Sequence, residues 1–120
     1  MLRIIHTNPM QPSNNNFSTQ VVVITGASSG IGRATALLFA SMGASVVGVG
    51  RREERLQALA ENASNFPGTI LPLTGDVTNP DDMKRIATET LAQFNRLDIL
   101  IANAGLGQRG TILGSNWDDL

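Results

Sequence analysis

Apolar residues come in two kinds of run along this chain, and the two kinds alternate. Val21, Val22, Val23 and Ile24 are consecutive and β-branched, which suits a strand buried on both faces, as in a parallel sheet. Ile31, Ala34, Leu38 and Met42 then recur at helical spacing, and Gly43 fits the position just past a helix C-terminus. Ala44 to Gly50 reads as a second buried strand. Leu56, Leu59, Ala60 and Ala63 fall at i, i+3, i+4 and i+7 and predict a second helix, which "NASNFPG" breaks. "TILPLTGDV" is the third strand, and its Pro72 fits best at a sheet edge. Asn79 then offers an N-cap and Pro80 a first helical residue. Asp81 and Asp82 favour the positive end of the helix dipole. Met83, Ile86, Ala87, Leu91 and Phe94 supply this helix with a stripe to bury. Leu97 to Ala102 is the fourth strand, residues 103–115 read as loop, and "SNWDDL" as a first helical turn.

The order is β-α-β-α-β-α-β. Strands alternating with helices require crossover connections, so the expected fold is α/β: a doubly wound parallel sheet with helices on both faces. Met1 to about Ser18 lies outside this pattern. It holds two prolines and a run of asparagines and is expected to be a flexible leader.

Composition removes several functions. Apolar residues make up 42% and charged residues 16%, which is globular rather than disordered. The net charge of −1 leaves no basic footprint for nucleic acid or a membrane surface. With no cysteine and one histidine, His6 in the leader, neither a metal cluster nor a histidine-based triad is expected. No apolar run nears the roughly 18 residues of a membrane span, and the start lacks a signal-peptide h-region. The expected location is cytoplasmic.

The informative stretch is "VVVITGASSGIGRATALLF", where a buried strand runs into three glycines and then a helix. In a doubly wound sheet, ligands bind beyond the carboxyl ends of the strands, at the point where strand order reverses. A helix that starts there offers unpaired N–H groups and the positive end of its dipole, an anion site. Gly26 permits a tight turn, Gly30 lets backbone approach a pyrophosphate, and Gly32 lets the helix pack on the strand. The spacing is G-x-x-x-G-x-G, and no Gly-Lys-Ser/Thr follows, so this is no Walker A loop. An ordinary glycine-rich turn is the competing reading, weakened by the strand before and the helix after.

"TGASSGIG" resembles the cofactor motif of the short-chain dehydrogenases/reductases in their standard short form. "RREERL" after the second strand, "GDVT" ending the third and "ANAG" ending the fourth agree in order and spacing. Ser29 stands where the extended, epimerase-like branch would need a middle glycine. The resemblance covers about Ser18 to Leu120 and implies a Rossmann-type fold. It also implies hydride transfer between a nicotinamide cofactor and a carbonyl or alcohol substrate.

A cofactor with a free 2′-hydroxyl is usually held by an acidic residue ending the second strand, about 20 residues past the glycines. Here Gly50 stands there, followed by Arg51 and Arg52. A glycine accepts no ribose hydrogen bond and does not repel a 2′-phosphate, for which arginine offers a planar fork. NADP(H) is therefore the expected cofactor, with NAD(H) second. The alternative is that both arginines are solvated residues balanced by Glu53 and Glu54. The resemblance further implies that Asp76 and Val77 lie beside the adenine. It sets Asn103, Ala104 and Gly105 against the nicotinamide-side ribose, although Ala102 stands where the family more often has Asn. Ser28 and Ser29 offer hydroxyls near the phosphates or the adenosine ribose, with surface turn serines as the alternative reading, and Ile31 completes the motif. Arg109 reads as solvent-exposed, with the lining of a substrate mouth as the alternative, and Trp117 and Asp118 resemble the start of a family helix, with Trp117 a packing anchor. Arg85 and Glu89 form a surface i, i+4 pair.

In the family, a tyrosine is the acid/base group, a lysine four residues on lowers its pKa, a serine polarises the substrate and an asparagine supports a proton relay. None can be placed: the chain has no tyrosine, and Lys84 is its one lysine, on a predicted surface helix. Residues 19–120 are thus expected to be the N-terminal half of a dinucleotide-binding domain. By itself the half should be inactive and poorly soluble, and the full-length form a homo-oligomer. The alternative is a non-catalytic dinucleotide-binding or sensing module.

Overall fold

The alternation of apolar runs folds into strands and helices in the predicted order. The computed structural model describes residues 17–103. Along them run β1 (Val21–Thr25), α1 (Gly30–Ser41), β2 (Ser45–Gly50), α2 (Glu53–Asn62), β3 (Thr69–Thr74), α3 (Pro80–Phe94) and β4 (Ile99–Ile101). His6, the loop beyond Asn103, Arg109, Trp117 and Asp118 lie outside the described residues.

All four strands pair in parallel, in the order β3-β2-β1-β4. The chain builds outward from β1 through β2 to β3, then returns to place β4 on the other side of β1. With right-handed crossovers, that reversal puts the returning helix on the opposite face. The core divides accordingly. Val22, Ile24, Val46 and Ile70 pack with Ala36 and Ala40 of α1 and with Leu56 and Leu59 of α2. Their strand neighbours Val23, Val47 and Val49 pack with Ile86 of α3 on the other face. The period of two along a strand therefore feeds two cores, which is why the strand runs are apolar without interruption.

Edge placement explains Pro72. It lies in β3, an outer strand of the described sheet, opposite Gly48 of β2. The third strand is shorter than its apolar run: Gly75, Asp76 and Val77 have left it.

Helix α1 turns differently from its predicted stripe, and α3 departs from its own at Leu91. In α1 the buried residues are Gly32, Ala36 and Ala40, whereas Ile31 is 70% and Leu38 57% exposed. The small residues let the helix axis approach the sheet, and packing distance outweighs side-chain size. In α3 the predicted Ile86 is buried with Met83 and Phe94 packed on the same core, but Leu91 is 49% exposed and Thr90 is buried. Thr90 is accommodated because its hydroxyl donates to the Ile86 carbonyl oxygen at 2.7 Å. Asn79 caps α3 as its sequence predicts, its Oδ1 accepting from the N–H groups of Asp81 (2.9 Å) and Asp82 (3.4 Å).

The start of β1 is fastened from both directions. Its first N–H, that of Val21, donates to buried Asp98 Oδ2 at 2.8 Å, and Arg96 holds the same carboxylate through Nε and Nη2 at 2.8 and 2.7 Å. Phe17, in the stretch read as leader, is buried and meets Phe39 edge-on, with ring centroids 5.2 Å apart.

Candidate functional site

The strand registers set the site. Ile24 lies level with Gly48 on one side and Ile101 on the other, and Gly48 lies level with Pro72. The carboxyl ends of all four strands therefore lie within two residues of one level, and the loops that leave them share one edge.

The glycine turn leaves β1 at the centre of that edge. Gly26 and Gly30 have φ of 66° and 61°, a region that residues with a Cβ rarely occupy. A Cβ on Gly30 would meet nothing within 4 Å, so the glycine serves the backbone conformation and leaves open space in front of it. Gly32 serves packing. A Cβ there would run into the Gly26 carbonyl oxygen and come within 2.6 Å of Asn103 Nδ2. The turn is tied to its neighbours on both sides. Ala27 N–H donates to the Val49 carbonyl of β2 at 2.9 Å. Asn103, just past β4, donates from Nδ2 to the Gly26 oxygen at 3.3 Å and from its backbone N–H to Thr25 Oγ1 at 2.9 Å.

The helix that starts here is left open at its N-terminus. Ser29 occupies the N-cap position but makes no side-chain capping bond, and the first turn of α1 holds no acidic residue. The other two described helices differ: α2 begins with Glu53 and Glu54, α3 with Asp81 and Asp82. Those carboxylates offset the helix dipole internally, whereas the first turn of α1 has no such carboxylate. Ser28 is half-buried, and Ser29 and Ile31 are exposed beside this end.

At the end of β2, Gly50 lies against Ser28: a Cβ on the glycine would be 3.3 Å from both Cβ and Oγ of the serine. Arg51 and Arg52 follow, both exposed, with Arg52 at the N-cap of α2. At the end of β3, Asp76 Oδ1 accepts from Thr78 Oγ1 at 2.6 Å and Thr78 N–H at 2.9 Å. The Thr78 hydroxyl, and after it the Thr78 N–H, hold this carboxyl below its ordinary value; desolvation opposes them, and the Arg51 charge adds a lesser pull. Asp76 is thus a carboxylate at neutral pH, within electrostatic reach of Arg51. Val77 is half-buried and packs on the α3-side core.

The structure thus brings Gly26, Ser28, Ser29, Gly30, Ile31, Gly32, Arg51, Arg52, Asp76, Val77 and Asn103 to one edge. Ala104 and Gly105 lie outside the described residues. Sequence reasoning missed two residues of α3. Asp82 Oδ2 accepts from the Asp76 N–H at 2.8 Å, and Arg85 Nη2 donates to the Thr74 carbonyl at 2.7 Å. Their spacing of three marks a shared helix face, but nothing in the sequence says that the end of β3 lies against it.

Residues 20–119 match the family model described as short chain dehydrogenase. The chain is 43% identical over 95 residues to a glucose 1-dehydrogenase of Gluconobacter oxydans, covering 78% of this chain and 36% of that protein. It is 44% identical over 94 residues to 11-beta-hydroxysteroid dehydrogenase-like 2 of Arabidopsis thaliana, covering 78% and 30%. A crystal structure of a metagenomic short-chain oxidoreductase in complex with NADP is similar with a TM-score of 0.72 at 36% identity, covering 86% of this chain and 47% of that one. The chain spans about a third of the length of the two curated relatives.

Proposed function

The chain belongs to the short chain dehydrogenase family, and on that premise we propose that it serves an NADP(H)-dependent oxidoreductase acting on a small carbonyl or alcohol substrate. The observation that carries the cofactor choice is the end of β2. There Gly50 leaves no carboxylate for a free ribose hydroxyl, Ser28 Oγ sits where its Cβ would be approached, and Arg51 follows at once. NAD(H) lacks the 2′-phosphate that would pair with a guanidinium and is the weaker cofactor.

The residues present fit a dinucleotide. The uncapped N-terminus of α1, with open space before Gly30, suits the pyrophosphate. Ser28, Ser29 and Arg51 would hold the adenosine ribose and its phosphate, with Arg52 beside them. Asp76 would accept from the adenine amine, and Val77 would give it an apolar neighbour. Asn103, with Ala104 and Gly105, would border the nicotinamide-side ribose. When bound, the nicotinamide supplies or takes up the hydride. This chain's share is to hold and orient it. Tyrosine acid/base chemistry is not among its contributions, since residues 1–120 contain no tyrosine.

This stretch does not name the substrate. Relatives named glucose 1-dehydrogenase and 11-beta-hydroxysteroid dehydrogenase-like 2 match it at 43% and 44% identity. The cofactor reading is tested by Arg51→Ala. Losing a charge-assisted bond to phosphate should weaken NADPH binding about tenfold or more and leave NADH within about twofold. Equal losses for the two would refute the assignment.

A further inference from the structure

Three consecutive residues at the exit of β3 each give a backbone group to a different partner. The Thr74 carbonyl accepts from Arg85 Nη2 at 2.7 Å, the Gly75 N–H donates to the Gly50 carbonyl at 2.9 Å, and the Asp76 N–H donates to Asp82 Oδ2 at 2.8 Å. Asp82 and Arg85 are one helical turn apart on α3 and 3.7 Å from each other. Between them the helix presses close, since a Cβ on Gly75 would stand 2.7 Å from Ile86 Cδ1 and 3.3 Å from Arg85 Nη2. In the described sheet β3 has a neighbouring strand on one side only, and its ladder ends at Thr74. Beyond that point, α3 supplies the hold that a second neighbouring strand would otherwise give.

We propose that Asp82 and Arg85 are positioning residues for the adenine end of the cofactor site. They fix the backbone from Thr74 to Asp76, and that backbone fixes where the Asp76 carboxylate points. Thr78 sets the carboxylate relative to its own loop, through two bonds within three residues. Asp82 and Arg85 set the loop relative to the sheet. The Gly75–Gly50 bond then couples its position to the residue just before Arg51. The Arg85–Glu89 pair at 3.5 Å is a surface ion pair and has no part in this, because such pairs contribute little.

The inference rests on the proposed placement of adenine at Asp76, and the test separates the two. The probes are NADPH and its hypoxanthine analogue, which carries a ring carbonyl where adenine has its amine. Binding to the purified protein is read by fluorescence titration. Wild type should prefer NADPH by about tenfold, the value of a hydrogen bond to a charged acceptor. Asp82→Ala and Arg85→Ala should bring the two ligands to within about twofold, Arg85→Lys should recover part of the preference, and Glu89→Gln should keep all of it. Arg85 is an exposed position, so its variants keep the test available if Asp82→Ala does not fold. Melting temperatures are taken in parallel. Variants that melt lower yet retain the tenfold preference would reduce the clamp to a structural role and overturn the inference. A preference lost in Glu89→Gln as well would overturn the assignment of Arg85 to Thr74. A wild type with no base preference, unchanged by Asp76→Ala, would overturn the adenine placement and this inference with it.

Discussion

At the scale of single residues, the site depends on what is missing as much as on what is present. Gly50 removes a carboxylate, and Ser29 occupies a cap position without capping. Asp76 shows the reverse, a carboxylate made firmer by its surroundings. Its folded-state pKa is depressed, chiefly by the Thr78 hydroxyl. The stability this contributes is present above the unfolded pKa of about 3.9 and is lost as pH falls through the folded value. Thr78→Val removes the hydroxyl and keeps the N–H. The Asp76 titration followed by NMR should therefore move up toward the ordinary value, and an unchanged midpoint would show that the hydroxyl bond is not made in solution. The glycine motif and Asn79 were readable because their reasons are local: a turn, a helix start, a cap within three residues. The roles of Asp82 and Arg85 were not, because the groups they hold lie 6 and 11 residues away along the chain.

At the scale of elements, existence and order follow from periodicity, but the buried face of a helix does not always follow from its largest side chains. The stripe Ile31, Ala34, Leu38, Met42 is the more hydrophobic choice for α1, yet Gly32, Ala36 and Ala40 face the sheet. What decides is how closely the helix must approach the glycine turn, where Gly32 touches the Gly26 carbonyl. Substitutions should reflect this. Ala36→Leu inserts bulk into a fully buried contact and should lose about 1–3 kcal/mol in urea unfolding. Leu38→Ala, at an exposed position, should stay within about 0.5 kcal/mol. The opposite ranking would restore the stripe that periodicity predicts.

At the scale of the whole molecule, the alternation of apolar runs announces a parallel α/β sheet but not the strand order. Nothing in the hydrophobic pattern says that the fourth run returns to the far side of the first. That reversal, which the resemblance to a Rossmann-type fold implies, is seen in the pairing of Val22, Val23 and Ile24 with Ile99, Leu100 and Ile101. Among the described residues β4 is paired on that side alone, and Ile31, Leu38 and Leu91 face outward. An open strand edge together with exposed apolar side chains favours self-association. The 120-residue polypeptide expressed by itself should therefore elute above its monomer mass in size-exclusion chromatography with light scattering. A monomer at every concentration would contradict this.

The shared edge at the strand ends carries one more consequence. Neighbouring strands are about 4.8 Å apart, so the edge is graduated like a ruler, with one residue group per mark. Arg51 after β2 and Asn103 after β4 are two marks apart, on the order of 10 Å, which is about the range over which exposed charges are screened and substitutions stop influencing one another. A lineage carrying this sheet can therefore exchange the group that reads one end of an elongated ligand while leaving the other end as it was. On the cofactor placement proposed above, preference at the adenosine end and chemistry at the nicotinamide end would be separately heritable traits.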